Sequence, residues 1–164
     1  MPALTTSRLI LSPLSEADWP CFLALRNNPN VMRFMGDRVC ENELRLKFES
    51  RLDGNVFAIY EARGEFVGDI GLQISSQNAQ EADIGYALLP RAQGKGFAQE
   101  ALAAICDYGF TSLNLTAINA WVLAGNTGSV RLLEKNGFTR VQVLEKAFQM
   151  NGEYFDDWVY RLER

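Results

Sequence analysis

The chain has 164 residues, 48% hydrophobic and 22% charged, with 16 Lys and Arg against 20 Asp and Glu for a net charge of −4. That length and apolar content predict a single domain over residues 1–164 with a sizeable core, and the acidic balance argues against nucleic acid as a partner, since phosphate neutralisation needs a basic face. The absence of histidine excludes histidine triads, histidine general bases and the usual zinc enzymes.

Residues 8–14 alternate enough for a first strand. Ser15-Glu16-Ala17-Asp18 has the spacing of a capping box. Pro20 would remove a helical bond if it lay deep in the helix, so a start near Asp18 with Pro20 in the first turn is expected. That helix should run to about Asn27 and stop before Pro29. An apolar cluster, Val31, Met32, Phe34 and Met35, precedes Gly36, and a second helix over residues 41–52 closes at Asp53-Gly54. Residues 56–61 and 66–74 read as a hairpin turning at Arg63-Gly64. After a polar loop over residues 75–80, the mostly apolar run 84–89 predicts a strand buried on both faces, ended by Pro90.

Gly94 and Gly96 then bracket Lys95 in a turn, and the helix beyond it places Ala98, Ala101, Leu102, Ile105 and Gly109 on one face. Residues 117–123 give another strand. Asn126-Thr127-Gly128-Ser129 caps a helix to Lys135, which Asn136-Gly137 ends with a left-handed turn. Strands over residues 138–146 and 154–162 are joined through Asn151-Gly152. The order is βααβββαβαββ, a mixed α/β chain with helices on both faces of one sheet of about seven strands, without repeat or linker. Cys21, Cys40 and Cys106 are odd in number and widely spaced, which suits free thiols in a reducing compartment. No apolar run approaches the roughly 20 residues of a membrane span. The opening MPALTTSRLIL lacks the basic and apolar regions of a signal peptide. A cytoplasmic protein with no membrane partner is expected, as monomer or homodimer.

The chemistry is concentrated at the glycine turn. A turn feeding a helix N-terminus exposes unpaired N–H groups at the positive end of the helix dipole, a ready site for phosphate. A Walker loop requires Ser or Thr after the lysine, but Gly96 follows Lys95; a dinucleotide fingerprint requires a third glycine where Gln99 stands. The stretch Arg91-Ala92-Gln93-Gly94-Lys95-Gly96 instead resembles the acetyl-CoA signature of the GNAT acyltransferases. Four further stretches are similar to the RimJ/RimL-like branch of that family: TSRLILSPLSEADW, RNNPNVMRFMG, NTGSVRLLEKNGF and NGEYFDDWVYRL. The resemblance covers essentially the whole chain in order and implies the GNAT fold, with a central, mostly antiparallel sheet and about four helices.

It also implies that acetyl-CoA is the co-substrate, lying where the central strand and its neighbour splay apart, with no metal required. Carried over by position, Ala87, Leu88 and Leu89 would present backbone to pantetheine, with the Leu88 N–H at the oxyanion. Gln93, Gly94, Lys95, Gly96, Phe97 and Ala98 would cradle the pyrophosphate. The alternative is that the glycines merely end a strand and start a helix, and that Arg91 is solvated. Asn126 would bond the pantetheine arm and Ser129 the departing thiolate; both also fit as helix caps. Where many relatives carry a tyrosine acid, this chain has Leu133, which removes that mechanism.

The acceptor would be an amine attacking the thioester directly. An α-amine of pKa about 7.7–8.0 is far more often free base at neutral pH than a lysine near 10.4. A protein N-terminal α-amine is therefore the leading expectation, with a small-molecule amine next and a non-catalytic acyl-CoA sensor as the rival of another class. Asp83, Glu81 or Glu153 would act as base through water, unless they are plain surface carboxylates. The acceptor would be contacted by Phe34, Tyr154 and Glu153, from an aromatic set that also holds Met35, Phe148, Met150, Phe155 and Trp158. Asp156 and Tyr160 are expected to support structure.

Overall fold

The computed structural model describes residues 2–164. One sheet threads the chain: β1 (Leu4–Thr5), β2 (Leu9–Pro13), β3 (Asn55–Glu61), β4 (Phe66–Ile74), β5 (Glu81–Leu88), β6 (Ala117–Leu123), β7 (Thr139–Met150) and β8 (Glu153–Glu163), ordered β1-β2-β3-β4-β5-β6-β8-β7. Its helices are α1 (Trp19–Asn27), α2 (Pro29–Met32), α3 (Glu41–Leu52), α4 (Phe97–Thr111) and α5 (Thr127–Lys135). Every neighbouring pair is antiparallel except β5 with β6. The expected mixed sheet is present, with β1 and α2 as additions.

Local chemistry explains the boundaries. The Ser15 N–H donates to Asp18 Oδ2 at 2.8 Å, and α1 begins at Trp19 with Pro20 in its first turn. Asn28 turns extended, and its Oδ1 accepts from the Asn30 and Val31 N–H groups at 2.9 and 3.3 Å. Pro29 therefore both ends α1 and opens α2, as proline at a first helical position can. The last hairpin runs further than residues 146 and 154. Asn151 (φ 53°) and Gly152 (φ 78°) both take left-handed conformations, so a two-residue turn joins strands that continue to Met150 and from Glu153. Two register shifts interrupt β7, between Arg140 and Gln142 and between Leu144 and Phe148, the second around Lys146 at φ 50°.

Apolar side chains fill both sides of the sheet. Leu9, Leu11, Phe57, Ile59, Ile70 and Leu102 belong to a core shared with α4 and α5, while Phe22, Leu25, Leu44, Phe48, Ala58 and Ala87 form a second under α1 and α3. The expectation of a central strand buried on both faces is corrected. In β5, Ala82, Ile84 and Leu88 are buried but Asp83 and Gly85 are exposed. The helices α1 and α3 cover the second face only as far as Ala87, leaving the rest of that face open. No helix among the described residues is long and apolar enough to cross a membrane.

Candidate functional site

The parallel pair β5–β6 stays in register only from Glu81↔Ala117 to Ile84↔Ala120, although β5 continues to Leu88 and β6 to Leu123. Past Ile84 the strands part, and the gap opens at their carboxyl ends, where parallel sheets take ligands. The Leu89 N–H donates to Val67 O at 2.8 Å, and the Ala87 carbonyl lies over Gly68, where an added Cβ would come within 2.1 Å of it. Backbone groups alternate between the two edges of a strand, so the Leu88 N–H points to the other edge, into the gap. Of the three positions expected to offer backbone there, Leu88 alone is turned towards it. Its carbonyl accepts from the Gln93 side chain at 3.1 Å.

The chain then makes one 3-10 turn (Pro90–Ala92) and the glycine turn, with Gly94 at φ 75° and Gly96 at φ 82°. These are left-handed conformations that glycine adopts without strain. The first bond of α4 runs from the Glu100 N–H to Gly96 O at 3.1 Å, so the Phe97, Ala98 and Gln99 N–H groups point out of the helix end. A Cβ built on Gly94 meets nothing within 4 Å, which leaves room for a phosphate against this backbone.

One arginine anchors the approach to the turn and another braces the turn itself. Arg91 reaches the Phe66 carbonyl and pairs with Glu65 at 3.4 Å, so it stays on the β3–β4 hairpin. Arg8 donates to the Lys95 carbonyl at 2.8 Å, pairs with Glu100 at 3.0 Å and lies 4.6 Å over the Phe97 ring. Nothing in the sequence singled out Arg8, because its partners lie 87 and 92 positions away.

On the far side of the gap, α5 is capped by Asn126, whose Oδ1 accepts from the Ser129 N–H at 3.3 Å. Its amide NH2 remains a free donor in this arrangement. The Ser129 hydroxyl is hydrogen-bonded to the Tyr86 hydroxyl. Burial pushes the Tyr86 phenol up from its ordinary pKa, opposed by that bond. Within the apolar run 84–89 nothing local marks Tyr86, because its partner lies 43 positions away. Leu133 is fully buried in the core, far in character from an acid.

The open face of the sheet carries the alternate side chains of β5 and β6: Asp83 and Gly85, with Asn119 and Trp121 beside them. Trp121 is 51% exposed, and a Cβ on Gly85 would meet nothing within 4 Å. Burial raises the Asp83 carboxyl above its usual range, partly offset by the Trp121 indole N–H. Burial also raises Asp157, which lies opposite Leu123 on this face. Glu81 is held below its usual range by its 2.7 Å pair with Arg161, so it is tied into the sheet. One rim is the segment between α2 and α3. The Asn151 N–H donates to Asp37 Oδ1 at 2.9 Å, and Gly36 lies against Phe148, joining that segment to the hairpin tip. Phe34 is half-buried under Arg33, whereas Glu153 and Tyr154 stand exposed beside the tip. Asp156 accepts from the Lys146 N–H and Tyr160 is buried, both in structural positions. Among the described residues no acidic, cysteine or histidine cluster is placed to hold a metal.

A slot of backbone donors at a strand end, a hydroxyl pair on one wall and an acidic aromatic face opposite are the parts of an acyl-transfer site. The family profile described as "Acetyltransferase (GNAT) domain" matches residues 8–139. An uncharacterised N-acetyltransferase of Bacillus subtilis, YoaA, is 33% identical over 98% of this chain and 96% of its own. The spermidine N-acetyltransferase of Vibrio cholerae, solved with CoA and spermine, superposes with a TM-score of 0.87 at 28% identity over 96% of each chain. An acetyltransferase of Salmonella typhimurium that modifies the N-terminal serine of ribosomal protein L7/L12 superposes at 0.88 over 99% of each chain, but at 20% identity that speaks for the fold alone. With the profile and the relative in agreement over most of its length, the chain belongs to the GNAT family and is an N-acetyltransferase that uses acetyl-CoA.

Proposed function

We propose that this enzyme, a single cytoplasmic domain over residues 1–164, acetylates a protein N-terminal α-amine that approaches from the open face of the sheet. The observation that carries the reading is the parting of β5 from β6 past Ile84 and Ala120, with donors on one side and an exposed shelf on the other. The Gln93, Gly94, Lys95, Gly96, Phe97 and Ala98 turn receives the pyrophosphate, since its N–H groups and the α4 dipole favour a negative group. Leu88 N–H faces the thioester carbonyl and stabilises the oxyanion as the amine attacks. The Asn126 amide holds the pantetheine arm. As the C–S bond breaks, Ser129 O–H donates to the departing thiolate while Tyr86 O–H donates to Ser129. Asp83, through a water, takes the proton lost by the amine.

The shelf supports a polypeptide end because it is exposed: a small ligand normally has most of its surface enclosed, whereas an extended chain spreads its contacts. A second reading, a small polyamine, is supported by Asp83 and Asp157 beside Trp121, which suit a cation, and by the spermidine-acetylating relative. Calorimetric titration with acetyl-CoA of wild type and Gly94→Glu tests the turn, with binding expected only in the wild type. An acceptor panel of ε-blocked peptides, amino acids and polyamines then separates the two readings. Intersecting double-reciprocal lines are expected; parallel lines would refute direct attack.

A further inference from the structure

Beneath the segment that rims the acceptor shelf lies a second cavity, of about 110 Å³, enclosed by α1, α3 and residues 32–39. Met32, Val39 and Leu44 form an apolar wall, and Arg26 and Arg51 supply two guanidinium groups. Arg26 is 9% exposed and pairs through one nitrogen with Asp69 at 3.0 Å. The remaining Nη1 atoms of Arg26 and Arg51 are buried without a hydrogen-bond partner, as is Asp69 Oδ2. Both guanidinium groups flank the Phe22 ring, at 4.6 and 5.5 Å, and Asp69 is the carboxylate that offsets them. Arg26 is buried and Arg51 half-buried, so two cations face one buried anion and leave a surplus positive charge, an arrangement proteins avoid unless something neutralises it. Lys47 and Asp37 stand exposed at the rim and offset each other.

We propose that this cavity is a binding site for a small carboxylate, held between the free edges of Arg26 and Arg51. Planar guanidinium forks match a carboxylate in shape. A monoanion neutralises the surplus charge where a phosphate dianion would overshoot it, and the Met32–Val39–Leu44 wall accepts a short carbon chain. The cavity has the volume of a few waters, so the ligand, or the part of it that enters, is of about acetate size. Its carboxylate comes either from the amine acceptor, whose shelf adjoins the 32–39 segment, or from a free metabolite acting as an effector.

The test titrates the 164-residue chain with sodium acetate, against sodium chloride and phosphate at matched ionic strength. Thermal unfolding and the Arg Nε–H NMR signals are followed together. Acetate is expected to raise Tm and shift the Arg26 and Arg51 signals saturably, and Arg51→Met to weaken its apparent affinity about tenfold or more. Should Arg51→Met fail to fold, Arg51→Lys keeps the charge and loses the fork, with an intermediate loss expected. Equal effects of acetate and chloride, or acetate binding unchanged in the arginine variants, would overturn the site. A second arm, which alone rests on the proposed transfer reaction, compares amines with and without a carboxylate. A KM increase in Arg51→Met confined to the carboxylate-bearing amines assigns the ligand to the acceptor. Acetate that alters rate equally for all amines assigns it to an effector. Failure of transfer leaves the binding arm intact, so the two readings fall separately.

Discussion

Replacing Ser129 by alanine tests the leaving-group half of the mechanism. The Ser129 hydroxyl sits between Tyr86 and the gap, and its proposed bond to the thiolate exists only as charge develops on sulfur. A hydrogen bond to a charged group contributes about 1.5–3 kcal/mol, and each 1.36 kcal/mol is a factor of ten in rate. The coenzyme thiol resembles a free cysteine, with a pKa of about 8.5, so it leaves tolerably well unaided and the loss should fall low in that span. Ser129→Ala is expected to lower kcat about 10- to 30-fold with the acetyl-CoA Kd within about twofold of wild type. Tyr86→Phe removes a neutral bond that only orients Ser129, so its loss should be about 3- to 10-fold. Because the two hydroxyls act as a unit, the double variant should match Ser129→Ala alone. Steady-state release of free thiol gives kcat, and calorimetry gives Kd. Unchanged kcat in Ser129→Ala, or losses that multiply in the double variant, would refute the relay.

Four further outcomes follow from the same geometry. Arg8→Met removes the bond to the Lys95 carbonyl and the cover over Gly96, so the acetyl-CoA Kd by calorimetry should rise about 3- to 10-fold, with kcat less affected. Gly85→Val places a side chain into the open space above β5; folding should be kept or improved, since valine suits a strand, and acetyl-CoA binding retained while amine transfer falls about tenfold or more. Asp69→Ala leaves Arg26 buried without its anion and should cost about 3–5 kcal/mol in urea denaturation, whereas Arg26→Met with Asp69→Leu should recover most of it. Burial pushes the Cys106 thiol up to about 12 from 9.0. Its contribution is therefore complete below the unfolded value and is lost as pH rises through the folded one, about 1.4 kcal/mol by pH 10. Cys106→Ala should flatten the alkaline fall in Tm, and an identical slope would sink that account.

Whatever depends on neighbours in sequence is legible in the chain itself. The starts and ends of α1, α3, β6 and α5 follow from prolines, caps and periodicity within a few residues. The glycine turn was legible for the same reason, since Gly94, Gly96 and the helix behind them are contiguous. The misses are non-local. Tyr86 and Ser129 are 43 positions apart, as are Arg26 and Asp69, and no spacing rule reports such contacts. The run IGYALL reads as doubly buried because its residues are apolar. Which face is covered depends on where α1 and α3 end, and that is decided by packing. The two-residue β1 exists only because Leu4 finds Leu11 across a turn, too little chain to leave a periodic mark.

The two register shifts in β7 bear on how the molecule behaves in a crowd. β7 is the last strand of the sheet, and its outer edge carries exposed Val141 (54%) and Val143 (42%). A long, flat edge of that kind would invite another chain to add itself and grow a fibril. Instead the regular ladder is cut into runs of two, three and three residues by the irregularities near Val141 and Lys146. Each bulge twists the strand and places a backbone group out of line, so a visiting strand finds no uninterrupted template longer than three residues. The irregular hairpin thus protects the protein against its own most inviting edge.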